Sequence, residues 1–264
     1  MKTVHFMSGL PRSGSTLLSS IFNQNPNIYS TTNSPVLKII SMAELTLTTS
    51  EQFRSNPKPE CINSLLKGIS QSYYAPFDRN IIIDKCRSWT NHIDIIKDFI
   101  AEEPKIICMV RDVLDILMSF IALHEKSGDR SIFNTHLRFE NAVNAESICD
   151  YLMQDTSVVG GSYKSLKECF DVGNSKHLLL VEYEDLVRDP QHQMSRIYEF
   201  LGESSYTHDF SNIIQSEIED PSCDVMGLEG LHVVRNSVEK IKRNRNDYFS
   251  EDLIKKYSGM EFWR

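Results

Sequence analysis

The chain has 264 residues, 41% of them hydrophobic and 24% charged, enough to bury a substantial core, and it reads as one domain over residues 1–264. A net charge of −8 and a sequence pI near 5.5 argue against a general nucleic-acid binder, which presents a basic surface. No segment approaches the roughly eighteen unbroken apolar residues of a membrane span.

The opening run KTVHFMSG has no stretch of signal-peptide form before it and predicts a short buried strand, with GSTLLSSIFNQN as the helix that follows. Ser34-Pro35 then opens an apolar-periodic helix through about Thr48, with Ser34 as N-cap and Pro35 at the first helical position. Residues 60–75 read as a helix closed by Pro76. NIIIDK (80–85) is a second buried strand followed by the helix WTNHIDIIKDFIAEE, and KIICMV (105–110) a third, running into RDVLDILMSFIALHEK. Helical stretches are expected over 136–155 and 160–171, a fourth strand at HLLLVEY (177–183), and a helix PQHQMSRIYEFLG opened by Pro190 and closed by Gly202. Unbroken apolar strands alternating with helices predict a P-loop-like three-layer α/β/α fold around a central parallel sheet. Residues 204–236 are the least periodic and read as a segment covering the ligand. Six scattered cysteines (61, 86, 108, 149, 169 and 223) show no metal-ligand spacing. The expectation is a soluble, reduced, cytoplasmic protein.

GLPRSGST stands between the first strand and first helix, where open parallel sheets bind ligands. Gly9, Gly14 and Thr16 keep the spacing of a phosphate-binding loop, whose backbone N–H groups and helix N-terminus suit an anion. The lysine that nucleoside triphosphates need is replaced by Ser15, and Arg12 appears within the loop. Two neighbouring strand ends, IIIDKC and CMVRD, present Lys85 and Arg111. A cation at each suits an anionic donor bound directly by protein, without a metal. Ser119 lies eight residues after Arg111, just over two helical turns, so both can share a helix face. Ion pairs with Asp112 or Asp115 for Arg111, and with Asp84 or Asp112 for Lys85, are the structural alternatives.

These residues resemble the sulfotransferases that use 3′-phosphoadenosine 5′-phosphosulfate (PAPS), specifically the tyrosylprotein sulfotransferases and their prokaryotic relatives. The resemblance covers most of the chain in order. It implies that Arg12, Ser13, Gly14, Ser15 and Thr16 hold the 5′-phosphosulfate, and that Arg111 and Ser119 read the 3′-phosphate. It further implies that Lys85, in DKCRSW, faces the transferring sulfonate, with Lys85 and Arg12 as the catalytic pair. Tyr183, in VEYEDLVRDP, would reach the nucleotide, and Arg235, in GLEGLHVVRN, would be a charged contact from the covering loop. The implied activity moves a sulfonate to a hydroxyl or amine of a small-molecule, saccharide or peptide acceptor.

One departure bears on the acceptor. Tyrosylprotein sulfotransferases carry a glutamate in the loop after the first helix, but PNIYSTTNSPVLK contains no acid. Cytosolic small-molecule enzymes place a histidine two residues after the strand-end lysine, a position held here by Arg87. His232, His124, Glu44 and Asp84 are the conceivable substitute bases. A P-loop nucleotide kinase and a non-catalytic nucleotide-binding protein remain as alternatives. The basic run KIKRNR (240–245) reads as the solvated face of a terminal helix or as part of an anionic-ligand site.

Overall fold

The computed structural model describes residues 2–137, 143–215, 227–228, 230–239 and 243–264; Cys223 and the first half of the basic run lie outside them. Among these, five strands form one all-parallel sheet: β1 (Thr3–Gly9), β2 (Ile28–Ser30), β3 (Ile81–Lys85), β4 (Ile106–Val110) and β5 (Leu178–Glu182), in the order β2-β3-β1-β4-β5. Register is set by Thr3 opposite Ile81, Phe6 opposite Ile106, and Ile106 opposite Leu178. Every residue of β4 is buried, as expected for a strand covered on both faces.

The helices follow in chain order: α1 (Ser15–Phe22), α2 (Val36–Thr49), α3 (Glu51–Ser55), α4 (Pro59–Tyr74), α5 (Ile93–Phe99) and α6 (Val113–Ser127). Beyond them lie α7 (Ile132–His136), α8 (Ala145–Leu152), α9 (Val158–Asp171), α10 (Tyr183–Arg188), α11 (Pro190–Leu201) and α12 (Glu251–Tyr257). Alternate strand residues feed opposite layers. Met7, Ile107 and Met109 pack with Leu18 and Ile21 of α1 and with Met194 and Ile197 of α11. On the other face Phe6, Ile82 and Ile106 pack against α2, α4 and α5, while Cys108 and Val110 join α6, α8 and α9. Each fully buried side chain of this size stabilises the fold by about 1.5–3 kcal/mol relative to exposure.

Four strands stand where the sequence predicts them, and β2 is an addition at the sheet edge. The helix expected over 89–103 is instead a 3-10 turn, Arg87–Asn91, followed by the shorter α5. The expected 136–155 helix reduces to α8, with 138–142 outside the described residues. Pro35 occupies the cap of α2 itself, one position earlier than predicted, although the Ser34 hydroxyl still accepts from the Val36 N–H at 3.2 Å.

Candidate active site

The turn between β1 and α1 is shaped by two glycines for which no other residue fits. Gly9 has φ 123°, and a Cβ there would lie 2.1 Å from the Met109 carbonyl oxygen. That close approach lets the Leu10 N–H donate to the same carbonyl at 2.8 Å and keeps the loop against β4. Gly14, φ 86°, caps α1 in the left-handed region, and a Cβ there would meet the Tyr183 ring at 2.6 Å. Between them Arg12 takes φ 57°, the single non-glycine residue at positive φ among the described residues. No side chain caps α1 and no acid stands in its first turn. Its amide end is thus open to an anion.

Lys85 closes β3 beside this loop. Its Nζ is 3.4 Å from Thr16 Oγ1, its N–H donates to Thr31 Oγ1 at 2.8 Å, and its carbonyl accepts from the Ser34 N–H at 2.8 Å. The loop after β2 is therefore stitched to Lys85 on both sides. The preceding Asp84 points the opposite way into the protein and is 0% exposed. Its carboxylate accepts from Ser34 Oγ at 2.8 Å, Tyr74 OH at 2.7 Å and Trp89 Nε1 at 2.9 Å. Burial pushes this carboxyl up and the three hydrogen bonds oppose that. Asp84 thus ties three segments behind Lys85, and is neither its ion partner nor a base in the cleft.

Arg111 follows β4. Its guanidinium donates to the Arg12 carbonyl at 3.0 Å, lies 4.3 Å over the Tyr183 ring and stands 3.4 Å from Glu184. That last pair is poorly aligned: Arg111 Nε and Glu184 Oε2 are buried without a hydrogen-bond partner. Burial raises the Glu184 pKa, partly offset by a backbone hydrogen bond and the Arg111 charge. The expected alternatives for Arg111, Asp112 and Asp115, are both taken by Arg245 at 2.9 Å. Ser119 accepts from Arg12 Nε at 3.0 Å, and the same guanidinium reaches the Leu231 carbonyl.

These groups line one cleft of about 770 Å³ at the C-terminal edge of the sheet. Among the described residues Arg12, Lys85, Arg87, Arg111, Arg235, Arg243 and Arg245 line it together with Asp115 and Glu239, so the described lining is basic although the chain carries net −8. Met118, Phe120, Val158, Leu228 and Leu231 supply an apolar wall. A smaller hollow of 270 Å³ at Lys97, Glu102, Glu103, Lys176 and His177 lies at the opposite edge, before β4 and β5. Among the described residues no three His, Cys, Asp or Glu side chains gather as a metal site, and no helix is long and apolar enough to cross a membrane.

The sequence pattern described as the sulfotransferase family matches residues 5–208, which run from β1 past α11 and include the loop, both strand ends and Tyr183. The chain belongs to the sulfotransferase family. Cytosolic sulfotransferase 8 of Arabidopsis thaliana is 28% identical over 118 residues, 44% of this chain, and the match spans only 33% of that relative's length. Mouse sulfotransferase SULT7A1, solved with PAP, superposes with TM-score 0.54 at 15% identity, covering 98% of this chain and 83% of its own. A sulfotransferase from Alicyclobacillus acidocaldarius gives 0.51 at 18% identity, covering 88% and 96%. Retinol dehydratase in complex with androsterone and inactive cofactor PAP gives 0.50 at 16% identity, covering 98% and 80%. At these identities the solved structures share the fold.

Within this sulfotransferase-family cleft the structure gathers Arg12, Gly14, Ser15, Thr16, Lys85, Arg111, Ser119, Tyr183 and Arg235. Ser13 differs: it is 0% exposed and its hydroxyl donates to the Leu10 carbonyl at 2.5 Å, shaping the loop from inside. Tyr183 begins α10 rather than ending the strand. Arg235 is paired loosely with Glu239 at 3.9 Å. Of the four substitute bases only His232 lines the cleft. The described part of the basic run does not form a terminal helix, since α12 begins at Glu251 and Arg245 is drawn in by Asp112 and Asp115. No local pattern announces that contact, which joins residues 130 apart in the chain.

Proposed function

We propose that the protein transfers a sulfonate from PAPS to a hydroxyl or amine acceptor, releasing adenosine 3′,5′-bisphosphate. The observation that carries this reading is a lysine-free phosphate loop whose neighbouring strand ends deliver Lys85 and Arg111 into the same basic cleft. The residues fit the donor on two further counts. Arg111 lines the cleft and is bonded to the loop through the Arg12 carbonyl, and Gly14 leaves space that a Cβ would fill against Tyr183. When bound, PAPS supplies a sulfonate activated by its phosphosulfate linkage.

The open amide end of α1, with Ser15, Thr16 and Arg12, holds the 5′ group, while Ser13 fixes the loop's shape. Arg111 and Ser119 bind the 3′-phosphate, Arg235 adds a charge from the covering segment within 204–236, and Tyr183 packs beside the nucleotide. Lys85, held by Thr31 and Ser34, places a cation where negative charge grows on the leaving oxygen, so it helps the transition state more than the ground state. Of the candidate bases, His232 lines the cleft and is assigned the acceptor's proton. The reading further takes residues 1–264 as a single domain that needs no metal and no nucleic acid, works in the cytoplasm, and accepts a small molecule, saccharide or peptide.

Calorimetry in EDTA tests this. Adenosine 3′,5′-bisphosphate is expected to bind without divalent metal and more tightly than ATP–Mg²⁺. The reverse order would favour the kinase reading. Bisphosphate binding with no transfer to any acceptor would favour the non-catalytic one.

A further inference from the structure

We infer that the acceptor is an organic acid as well as an alcohol or amine, and that Arg87 is the side chain that recognises its carboxylate. This rests on the PAPS reading above, which gives the loop, Lys85 and Arg111 to the donor. Cys86 is extended, φ −144° and ψ 129°, so Lys85 and Arg87 leave the chain on one face with Cα atoms about 6.6 Å apart. Both line the cleft. The main chain there is held at two points: the Cys86 N–H donates to the Met7 carbonyl at 3.0 Å, and Ser8 Oγ donates to the Arg87 carbonyl at 2.6 Å.

The Arg87 guanidinium itself makes no hydrogen bond or ion pair among the described residues and stays open to the cleft. Its neighbours differ. Arg12 bonds Ser119 and Leu231, Arg111 stands against Glu184, Arg235 faces Glu239 and Arg245 bridges two aspartates. Arg243, which makes no hydrogen bond or ion pair among the described residues, is not tied to the strand end that carries Lys85. A guanidinium cannot act as base, because it stays protonated. With its main chain held two residues from Lys85, a second cation lines the cleft on the same side as the proposed transfer point, which suits an anionic group on the acceptor. Its planar fork matches a carboxylate in two parallel hydrogen bonds. The apolar wall of the same cleft would take the acceptor's carbon skeleton.

The test uses protein saturated with adenosine 3′,5′-bisphosphate and matched acid–ester pairs: 4-hydroxybenzoate, 3-hydroxybutyrate and glucuronate, each against its methyl ester. Calorimetry is expected to show at least one acid bound tenfold or more tightly than its ester. Arg87→Gln should bring that ratio near one, Arg87→Lys should keep part of it, and both should leave bisphosphate affinity within threefold. No acid preference in any pair overturns the inference, as does a preference that survives Arg87→Gln. A tenfold loss of bisphosphate affinity in Arg87→Gln also overturns it, by moving Arg87 to the donor. Wild-type protein that fails to bind the bisphosphate sinks the donor reading instead, and this inference with it.

Discussion

Replacing Arg111 by Met separates phosphate reading from fold support. The methionine stem still covers the Tyr183 ring, where the guanidinium now lies at 4.3 Å, while the guanidinium's own donors to a 3′-phosphate are lost. Charged hydrogen bonds contribute about 1.5–3 kcal/mol each, so bisphosphate affinity should fall roughly 12- to 150-fold at 1.4 kcal/mol per tenfold. AMP lacks the 3′-phosphate, and its affinity should change by less than about threefold. The structure adds a complication that the design absorbs: Glu184, 3.4 Å away, would lose its counter-charge while half-buried. Arg111→Met should therefore also lower the melting temperature, and Arg111→Met/Glu184→Gln should restore it without restoring bisphosphate binding. Calorimetry with both nucleotides on both variants, in EDTA, reads all four quantities. Equal losses for bisphosphate and AMP, or recovery of bisphosphate affinity in the double variant, would refute a 3′-phosphate role for Arg111.

Lys85→Met should cut sulfonate transfer by orders of magnitude in a donor-turnover assay while leaving bisphosphate affinity within a few-fold, and wild-type turnover would remove Lys85 from the chemistry. Gly14→Ala forces a methyl 2.6 Å from the Tyr183 ring at φ 86°; left-handed strain alone costs about 1–2 kcal/mol, so the melting temperature should fall, and calorimetry should show weaker bisphosphate binding as the loop and Tyr183 shift. Burial of His208 pulls its pKa down to about 4. Its unfolded form takes up a proton below about 6.5 and the folded form does not, so stability is full above that value and declines by up to about 3 kcal/mol as pH falls towards 4. Urea melts across this range should show a shallower slope in His208→Phe, with His5 and His177, shifted the same way by burial, contributing to what remains.

The strands that could be read from sequence are those whose burial on both faces writes itself as an unbroken apolar run: Ile81–Ile83 and Ile106–Val110 need no context. β2 left no such mark, because an edge strand of three residues, IYS, sits among turn-forming asparagines and a proline. The turn after β1 was legible because its backbone demands glycine at Gly9 and Gly14, and the two strand-end cations because they close or follow unbroken apolar strands. What the sequence concealed is pairing at a distance. Asp84 looked like a partner or base for its neighbour Lys85, yet alternation along the strand turns it into the core, towards Tyr74 and Trp89. Arg245 looked like one charge in a solvated run, until folding set it against Asp112 and Asp115.

The strand order has a consequence in time. β1, with six of its seven residues buried, lies between β3 and β4, and its register partners begin at Ile81 and Ile106. On a ribosome adding about 5–20 residues per second, the first strand waits roughly 4–16 s for any neighbour to be made, and longer for the second. Throughout that interval its apolar edges are open to wrong partners, and closing such long loops is slow once they are available. Synthesis speed across α2–α4, rather than any property of the finished cleft, should therefore govern how much of the newly made chain is recovered folded.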